Sequence, residues 1–393
     1  GTDEGPETRV RAANMIAADG THSPVRRQLG IKMTGRGSFA DCITIYFKAD
    51  MRAMIGERNL SVVYVNRPDL LAFFRFSITG DAGFLAVFSS FDSEGRRTRL
   101  EPQAMSPGDC AALVRTALGA APDFALEIDD VQLWTATAAT AAAFGEGRVF
   151  LAGDAAHQMP PTRGFGGNTR VGGVHNLVWK LDLVLDGEAG AGLLETYEQE
   201  RRPTGELIVE QAYARYVARV DPSLPREDLA PMLDDAAIEL GEIYRSGAVI
   251  EEDEAATEAP LDDPRRPSGR AGTRLAHVAL ERNGTAISSL DLAGRGFTLV
   301  AGSGGEAWQA AAETMAYPLE VCRIGLDVPD PGGSFEAIMG IGVEGALLLR
   351  PDGVVAWRTQ SSHPDPGARL RDILDRLTFR TRPAGTLSES AIL

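Results

Sequence analysis

Residues 148–185, RVFLAGDAAHQMPPTRGFGGNTRVGGVHNLVWKLDLVL, hold the groups in this chain whose types and spacing best suit chemistry. Asp154 follows an apolar run, 149–152, short enough for a buried strand that Gly153-Asp154 would end. Such a strand delivers a carboxylate at its end. Pro160-Pro161 then forces an extended path without backbone donors. Gly164, Gly166 and Gly167 flank Phe165, Asn168 closes the loop, and glycine there lets backbone come close to a flat or charged ligand. A helix is expected from about Thr169, with Val171, Val174, Val178, Leu181 and Leu185 forming one apolar face. Its N-terminus adds free N–H groups and the positive end of a dipole. An acceptor for sugar hydroxyls therefore lies beside donors for a carbonyl or phosphate oxygen, which suits a nucleotide-like cofactor carrying both.

The rest of the chain must position these groups. At 393 residues it has room for two or three domains, and 44% hydrophobic with 24% charged residues is an ordinary globular balance. A net charge of −16 argues against nucleic acid or an anionic membrane as partner. Cys42, Cys110 and Cys322 lie far apart with no CxxC, so neither a disulfide framework nor a metal site is expected, and a reducing cytoplasm is the simplest location. No run approaches the length of a membrane span, and no signal-peptide pattern opens the sequence.

Taken in order, 12–18 reads as a buried strand turned by Asp19-Gly20, and Ser23-Pro24 as the cap of a short basic helix. Residues 38–145 are strand-rich, with candidates at 43–47, 60–65, 70–78, 84–91 and 131–137, and a helix at 106–118. Alternation places Phe74 and Phe76 on one face. Residues 193–220 and 235–244 read as helices. Residues 251–272 are charged, proline-rich and poor in large apolar side chains, as a linker or surface wrap would be. From about 273 a small α/β pattern follows: strands at 297–302 and 319–324, a helix at 308–315, a hairpin at 345–358 around Pro351-Asp352-Gly353, and an amphipathic helix at 370–377.

Gly153-Asp154-Ala155-Ala156-His157, Pro160-Pro161-Thr162, Gly166-Gly167-Asn168 and Asn176-Leu177-Val178-Trp179-Lys180-Leu181 together resemble the second flavin motif of the class A flavoprotein aromatic hydroxylases, the p-hydroxybenzoate hydroxylase fold. The nearest subgroup is similar to the actinomycete aromatic polyketide hydroxylases, such as aklavinone and tetracenomycin hydroxylases. Asp19, Gly20 and Arg26 match that family's other internal motif, whose aspartate serves the flavin and NADPH side of the site. Residues 194–203, ending Glu200-Arg201-Arg202-Pro203, resemble the family's helix-ending signature.

The resemblance implies an α/β fold: a partial, Rossmann-like FAD-binding domain (1–35 and 146–190), an inserted β-sheet substrate domain (36–145), a helical region (191–250), the linker (251–272) and a thioredoxin-like domain without CxxC (273–393). It implies an FAD-dependent monooxygenase in which NADPH reduces the flavin, O2 forms a C4a-hydroperoxide and a phenolic polyketide or other polycyclic substrate is hydroxylated. Asp154, with Gly153, Asp19, Gly166, Gly167 and Asn168, would hold FAD. Pro161 would lie at the reactive edge of the ring. Gly167 and Asn168 would donate to its pyrimidine carbonyl. His157 reads as structural. Tyr46, Tyr64, Phe74 and Phe76 could contact substrate, although a sheet face packed on helices explains them as well. A monomer or homodimer acting on a small molecule, with no nucleic-acid or membrane partner, follows from the same reading.

The family's G-x-G-x-x-G element is absent before Asp19, so the groups for adenine and diphosphate would lie in a segment cut away or carried elsewhere. Without that segment FAD would bind poorly unless the lost piece stays associated. Arg163 and Arg170 stand where relatives often have glycine, and Gly173 where an aspartate is usual. These departures, with the missing element, leave a flavin-free binding module as one alternative. A hydroxylase of small phenols is another.

Overall fold

The computed structural model describes residues 9–57, 62–67, 70–91, 97–98, 105–221, 224–226, 228–251 and 259–380. Part of the 60–65 strand candidate and residues 252–258 of the proposed linker lie outside these residues.

The chain opens with β1 (Met15–Ala17) and α1 (Pro24–Gln28), the latter capped by the Ser23 hydroxyl accepting from the Arg26 N–H. A long strand, β2 (Met33–Lys48), and a short helix, α2 (Arg52–Ile55), follow. Next come β3 (Val63–Arg67), β4 (Leu70–Phe76), β5 (Ala82–Phe91), β6 (Arg97–Thr98), α3 (Pro107–Leu118) and β7 (Glu127–Ala141). The chain then returns through β8 (Gly145–Glu146), β9 (Val149–Leu151) and β10 (His157–Gln158).

β9 lies between β1, to which it runs parallel, and β8. This small sheet brings Asp19 and Asp154 to the same end. The large sheet runs β10-β7-β2-β5-β4-β3, with β6 on β5. One of its faces buries Ile43, Ile45, Phe47, Phe74, Leu85 and Val87 against Cys110 and Val114 of α3. On the opposite face Cys42, Phe88 and Ala136 pack with Tyr216 of the long helix 192–219.

Two long helices, α4 (Phe165–Leu185) and α5 (Gly192–Arg219), pack against each other and join the two sheets. α4 corrects the sequence reading. α4 begins at Phe165, four residues before the expected start, so Gly166, Gly167 and Asn168 are its first turn rather than a loop. Its expected apolar face is turned outward: Val171, Val174, Val178 and Leu185 are 71%, 39%, 47% and 58% exposed, and only Leu181 is buried. The buried side instead carries Asn176, Trp179 and Lys180, because neighbouring elements supply charged partners for them. α5 agrees with the helix expected over 193–220 and runs through Pro203, so the likeness of 194–203 to a helix-ending signature marks no end here. Helix α6 is short, Asp235–Leu240, and is capped by Asp234.

The C-terminal unit opens with the hairpin β11 (Ala279–Arg282) and β12 (Thr285–Ser288), which the pattern reading missed. β13 (Phe297–Ala301), α7 (Glu306–Glu313), β14 (Leu319–Arg323), α8 (Phe335–Met339), β15 (Ala346–Leu349), β16 (Val355–Thr359) and α9 (Pro366–Leu377) follow. Its sheet order is β14-β13-β15-β16, with β13 parallel to β14 and the remaining pairs antiparallel. Apolar side chains on both faces bury it between two clusters, one centred on Trp308 and Trp357 and the other on Phe335 and Met339. The first cluster includes Trp179 and Leu183 of α4, so this unit is packed onto the central helix.

Candidate functional site

A large cleft with a volume of about 1120 Å³ lies between the small sheet, the start of α4 and the near end of β2 and β7. Asp19, Gly20, Arg26, Asp154 and Arg170 line one side. Met33, Gly35, Leu133, Trp134, Thr137, Met159 and Pro161 line the other. This exceeds the volume typical for one drug-sized ligand.

Local structure fixes each group on the polar side. The Asp19 carboxylate accepts from the Val25 N–H at 3.0 Å. Slight burial opposes its charge, but the Ser23 hydroxyl and the Val25 N–H hold the carboxyl below its ordinary pKa. The buried Arg26 donates to the carbonyls of Ala155 (2.9 Å) and Thr21 (3.0 Å), tying the turn after β1 to the turn after β9. Gly153 takes φ +63°, open to glycine, and lets the chain turn sharply from β9 into Asp154. Tyr197 of α5 donates to the Leu151 carbonyl at 2.8 Å and fixes the strand just before that turn.

Asp154 is ion-paired through Oδ1 with Arg170. No hydrogen bond of correct geometry satisfies that buried oxygen, and Oδ2 has no partner among the described residues. A carboxylate with spare acceptor capacity at the rim of a large cleft suits a hydroxylated ligand.

The amides of Gly166, Gly167 and Asn168 lie in the first turn of α4, ahead of the helix's own hydrogen-bond ladder. A Cβ on Gly167 would meet nothing within 4 Å, so the backbone there is open to close approach. These three residues are not among the residues lining the cleft. The Arg170 guanidinium, which does line it, lies over Gly166, 3.4 Å from the position a Cβ would take. The Asn168 side chain points to Glu239 at 3.4 Å. Pro161 lines the cleft as expected.

The two added cations have different fates. Arg163, at φ +56°, pairs with Asp235 of α6 at 3.1 Å, outside the cleft. Arg170 faces into it. Gly173 is buried; the Arg201 Nε and the Tyr197 hydroxyl each lie 3.9 Å from the position of a Cβ. His157 is 3% exposed, with Nδ1 unpartnered, and burial with Arg201 and Arg170 nearby pulls its pKa down to about 3. It is a neutral interior residue, absent from the cleft lining.

The structure does not bring the four expected substrate aromatics to the cleft. Phe74 and Phe76 do share a face and stack at 5.2 Å, but that face is the core beneath α3. Tyr46 and Tyr64 reach a row of ring contacts on the other face, running Tyr46–Phe84–Phe73–Phe88–Trp134, with Tyr64 against Phe73. Trp134, at the cleft end of that row, was expected only as part of a returning strand. Its indole N–H donates to Thr44 Oγ1 at 2.9 Å. Strand parity from Tyr46 to Phe84 and Phe88 could have singled out this face.

Comparison with known proteins agrees with this geometry. Residues 1–212 match a family described as FAD binding domain, and residues 268–379 one described as aromatic-ring hydroxylase, C-terminal. The chain is 45% identical to a 4-methyl-5-nitrocatechol 5-monooxygenase of Burkholderia over 96% of its own length and 70% of that protein. It is 38% identical to a tetracenomycin A2 monooxygenase-dioxygenase of Streptomyces glaucescens, covering 98% of this chain and 69% of the other. A crystal structure of aklavinone-11 hydroxylase with FAD and aklavinone superposes with a TM-score of 0.86 at 38% identity, covering 93% of this chain and 68% of that one. The chain belongs to the FAD-dependent aromatic-ring hydroxylases, and its cofactor is FAD.

Proposed function

From this membership we propose that the protein hydroxylates a phenolic polycyclic substrate, of the aromatic polyketide kind, in the cleft between Asp154 and Trp134. The observation that carries the reading is the cleft itself, whose volume of about 1120 Å³ leaves room for a second ring system beside a flavin.

The residues present fit FAD. Asp154 offers its carboxylate, paired among the described residues only with Arg170, to a ribityl hydroxyl, and Gly153 gives it a tight turn. Asp19 supports the same side. The first-turn amides of α4, at Gly166, Gly167 and Asn168, supply donors and a positive dipole end for a pyrimidine carbonyl. The exposed Gly167 admits a flat ring, once Arg170 swings off the adjacent Gly166. Pro161 borders the reactive side. FAD, reduced by NADPH, supplies the activated oxygen from O2 when bound. The chain's own residues bind, orient and exclude water: Trp134, Leu133 and Met159 give the substrate an apolar wall. Neither histidine near the site is a buried base: His157 is neutral and outside the cleft, and His22, which lines the cleft, is exposed.

The domain boundaries expected above are kept as part of this reading. The C-terminal unit reads as thioredoxin-like from its β-α-β-α-β-β-α order, with Gly302-Ser303-Gly304-Gly305 before α7 in place of a thiol pair. Among the described residues no helix is long and apolar enough to cross a membrane.

A second reading, hydroxylation of a small phenol, is favoured by the 45% identity to the nitrocatechol monooxygenase. FAD-loaded protein tested for NADPH oxidation and substrate mass gain separates the two. The polycyclic reading expects an anthracyclinone-like phenol to gain one oxygen with a higher kcat/KM than nitrocatechols. The reverse order selects the small phenol, and no oxidation with either rejects both.

A further inference from the structure

Helix α4 reaches the cleft through Arg170, one turn in from its open N-terminal end, while its middle is held from behind by charges buried as deeply as the hydrophobic core. Glu200 of α5 is 2% exposed, and Lys180 and Arg350 are 0% exposed. The Glu200 carboxylate accepts from Asn176 (2.6 Å) and Lys180 (2.8 Å) of α4, from Ser246 (2.6 Å), and from both arms of Arg350 (2.7 and 2.9 Å). Arg350 begins the β15–β16 turn of the C-terminal unit. It also donates to Asp352 in that turn, at 3.0 Å through Nε, and Asp352 accepts from the Trp179 indole of α4 at 3.1 Å. The guanidinium stacks on Trp179 and Tyr244 at 5.0 and 5.3 Å. Two cations and two anions thus balance in one buried cluster that spans three elements.

The neighbouring residue on α5 carries the contact forward. Arg201 donates to the Thr169 carbonyl at 3.1 Å, in the helix turn next to the cleft, and its guanidinium lies against Gly172. Its other arm is held by Glu242 (2.6 Å) and the Tyr244 hydroxyl (2.7 Å), the same ring on which Arg350 stacks.

We propose that the C-terminal unit is a positioning element for the flavin: Arg350, acting through Glu200 and the Tyr244–Arg201 contact, sets the register of α4 and therefore the direction of its first-turn amides. A buried ion cluster contributes little net stability over an apolar replacement, but it admits one geometry. That property suits a helix whose open end must meet a ring to within a fraction of an ångström. The proposal rests on the flavin reading above only for the identity of what is positioned.

The test uses the full 393-residue chain. Arg350→Met keeps bulk and leaves Glu200 paired with Lys180. Asp352→Asn keeps shape and weakens the cluster less. Trp308→Phe, in the C-terminal core and bonded to none of the cluster's charged groups, is the control for general loss of stability. In flavin-free protein, Arg350→Met is expected to raise hydrogen exchange in 169–180 by about tenfold or more. In loaded protein it should weaken FAD binding by about tenfold and move the flavin midpoint potential negative, with Asp352→Asn following in the same direction and smaller. Trp308→Phe should lower Tm and leave all three unmoved. The proposal is overturned if Arg350→Met matches wild type in exchange and affinity, or if Trp308→Phe produces the same changes. If Arg350→Met does not fold, Asp352→Asn decides by the same readings. If wild-type chain takes up no FAD, the flavin reading fails, while the exchange result still judges the brace.

Discussion

The two ends of the Phe165–Leu185 helix are built on opposite terms. Its first turn has three consecutive residues, Gly166 to Asn168, with amides ahead of the hydrogen-bond ladder and open space beside Gly167. Its middle spends its buried polar groups: Asn176, Trp179 and Lys180 all bond to buried carboxylates. The difference shows how a site can be reactive without being loose. Unsatisfied donors are useful to a ligand only if they cannot rotate to satisfy themselves, and the clamped middle prevents that.

The contrast can be broken from either end. The largest effect belongs to the clamped region. Glu200→Ala leaves Lys180 and Arg350 buried without their shared anion and should cost about 3–5 kcal/mol in chemical denaturation; a loss under about 1 kcal/mol would show that the cluster is not a clamp. Asp154→Ala, at the open end, should do the reverse. Its pair with Arg170 is a third exposed, so stability should change by less than about 1 kcal/mol. FAD affinity, followed by fluorescence titration, should fall by about 10–100-fold.

The pH dependence reports on the wall between the two regions. His157 titrates near pH 3 in the folded chain against its ordinary value of 6.5. The unfolded state therefore binds the proton first as pH falls. Stability from this group is complete above pH 6.5 and declines below it, by about 2 kcal/mol between pH 7 and pH 5. His157→Asn should flatten that part of the profile. The smallest expected effect is a gain: a methyl on Gly173 meets only atoms at 3.9 Å, so Gly173→Ala should raise stability by up to about 1 kcal/mol through helix propensity alone.

The open end was legible in the sequence, and the clamped middle was not. Asp19, Gly20, Asp154 and Pro161 reach one cleft because local rules place them there: a strand, a turn, a proline pair. The valines of α4 misled because periodicity shows that residues share a face, not which face is covered. Covering the opposite one required Glu200 and Arg350, 20 and 170 residues beyond Lys180. The same limit applies to the sheet. Phe74 and Phe76 share a face as alternation requires, yet α3 occupies it. The helix expected over 193–220 did form, with Pro203 exposed on α5, where one missing N–H does not stop it.

The account depends most on the first turn of α4 lying against the flavin, and Gly167→Ala tests that directly. A methyl there meets no protein atom, so thermal unfolding of the flavin-free chain should be unchanged or slightly raised. FAD titration of the same protein should show affinity weakened by about tenfold or more, because the methyl takes the space of the ring. Unaltered FAD affinity in a normally folded Gly167→Ala protein would contradict the account.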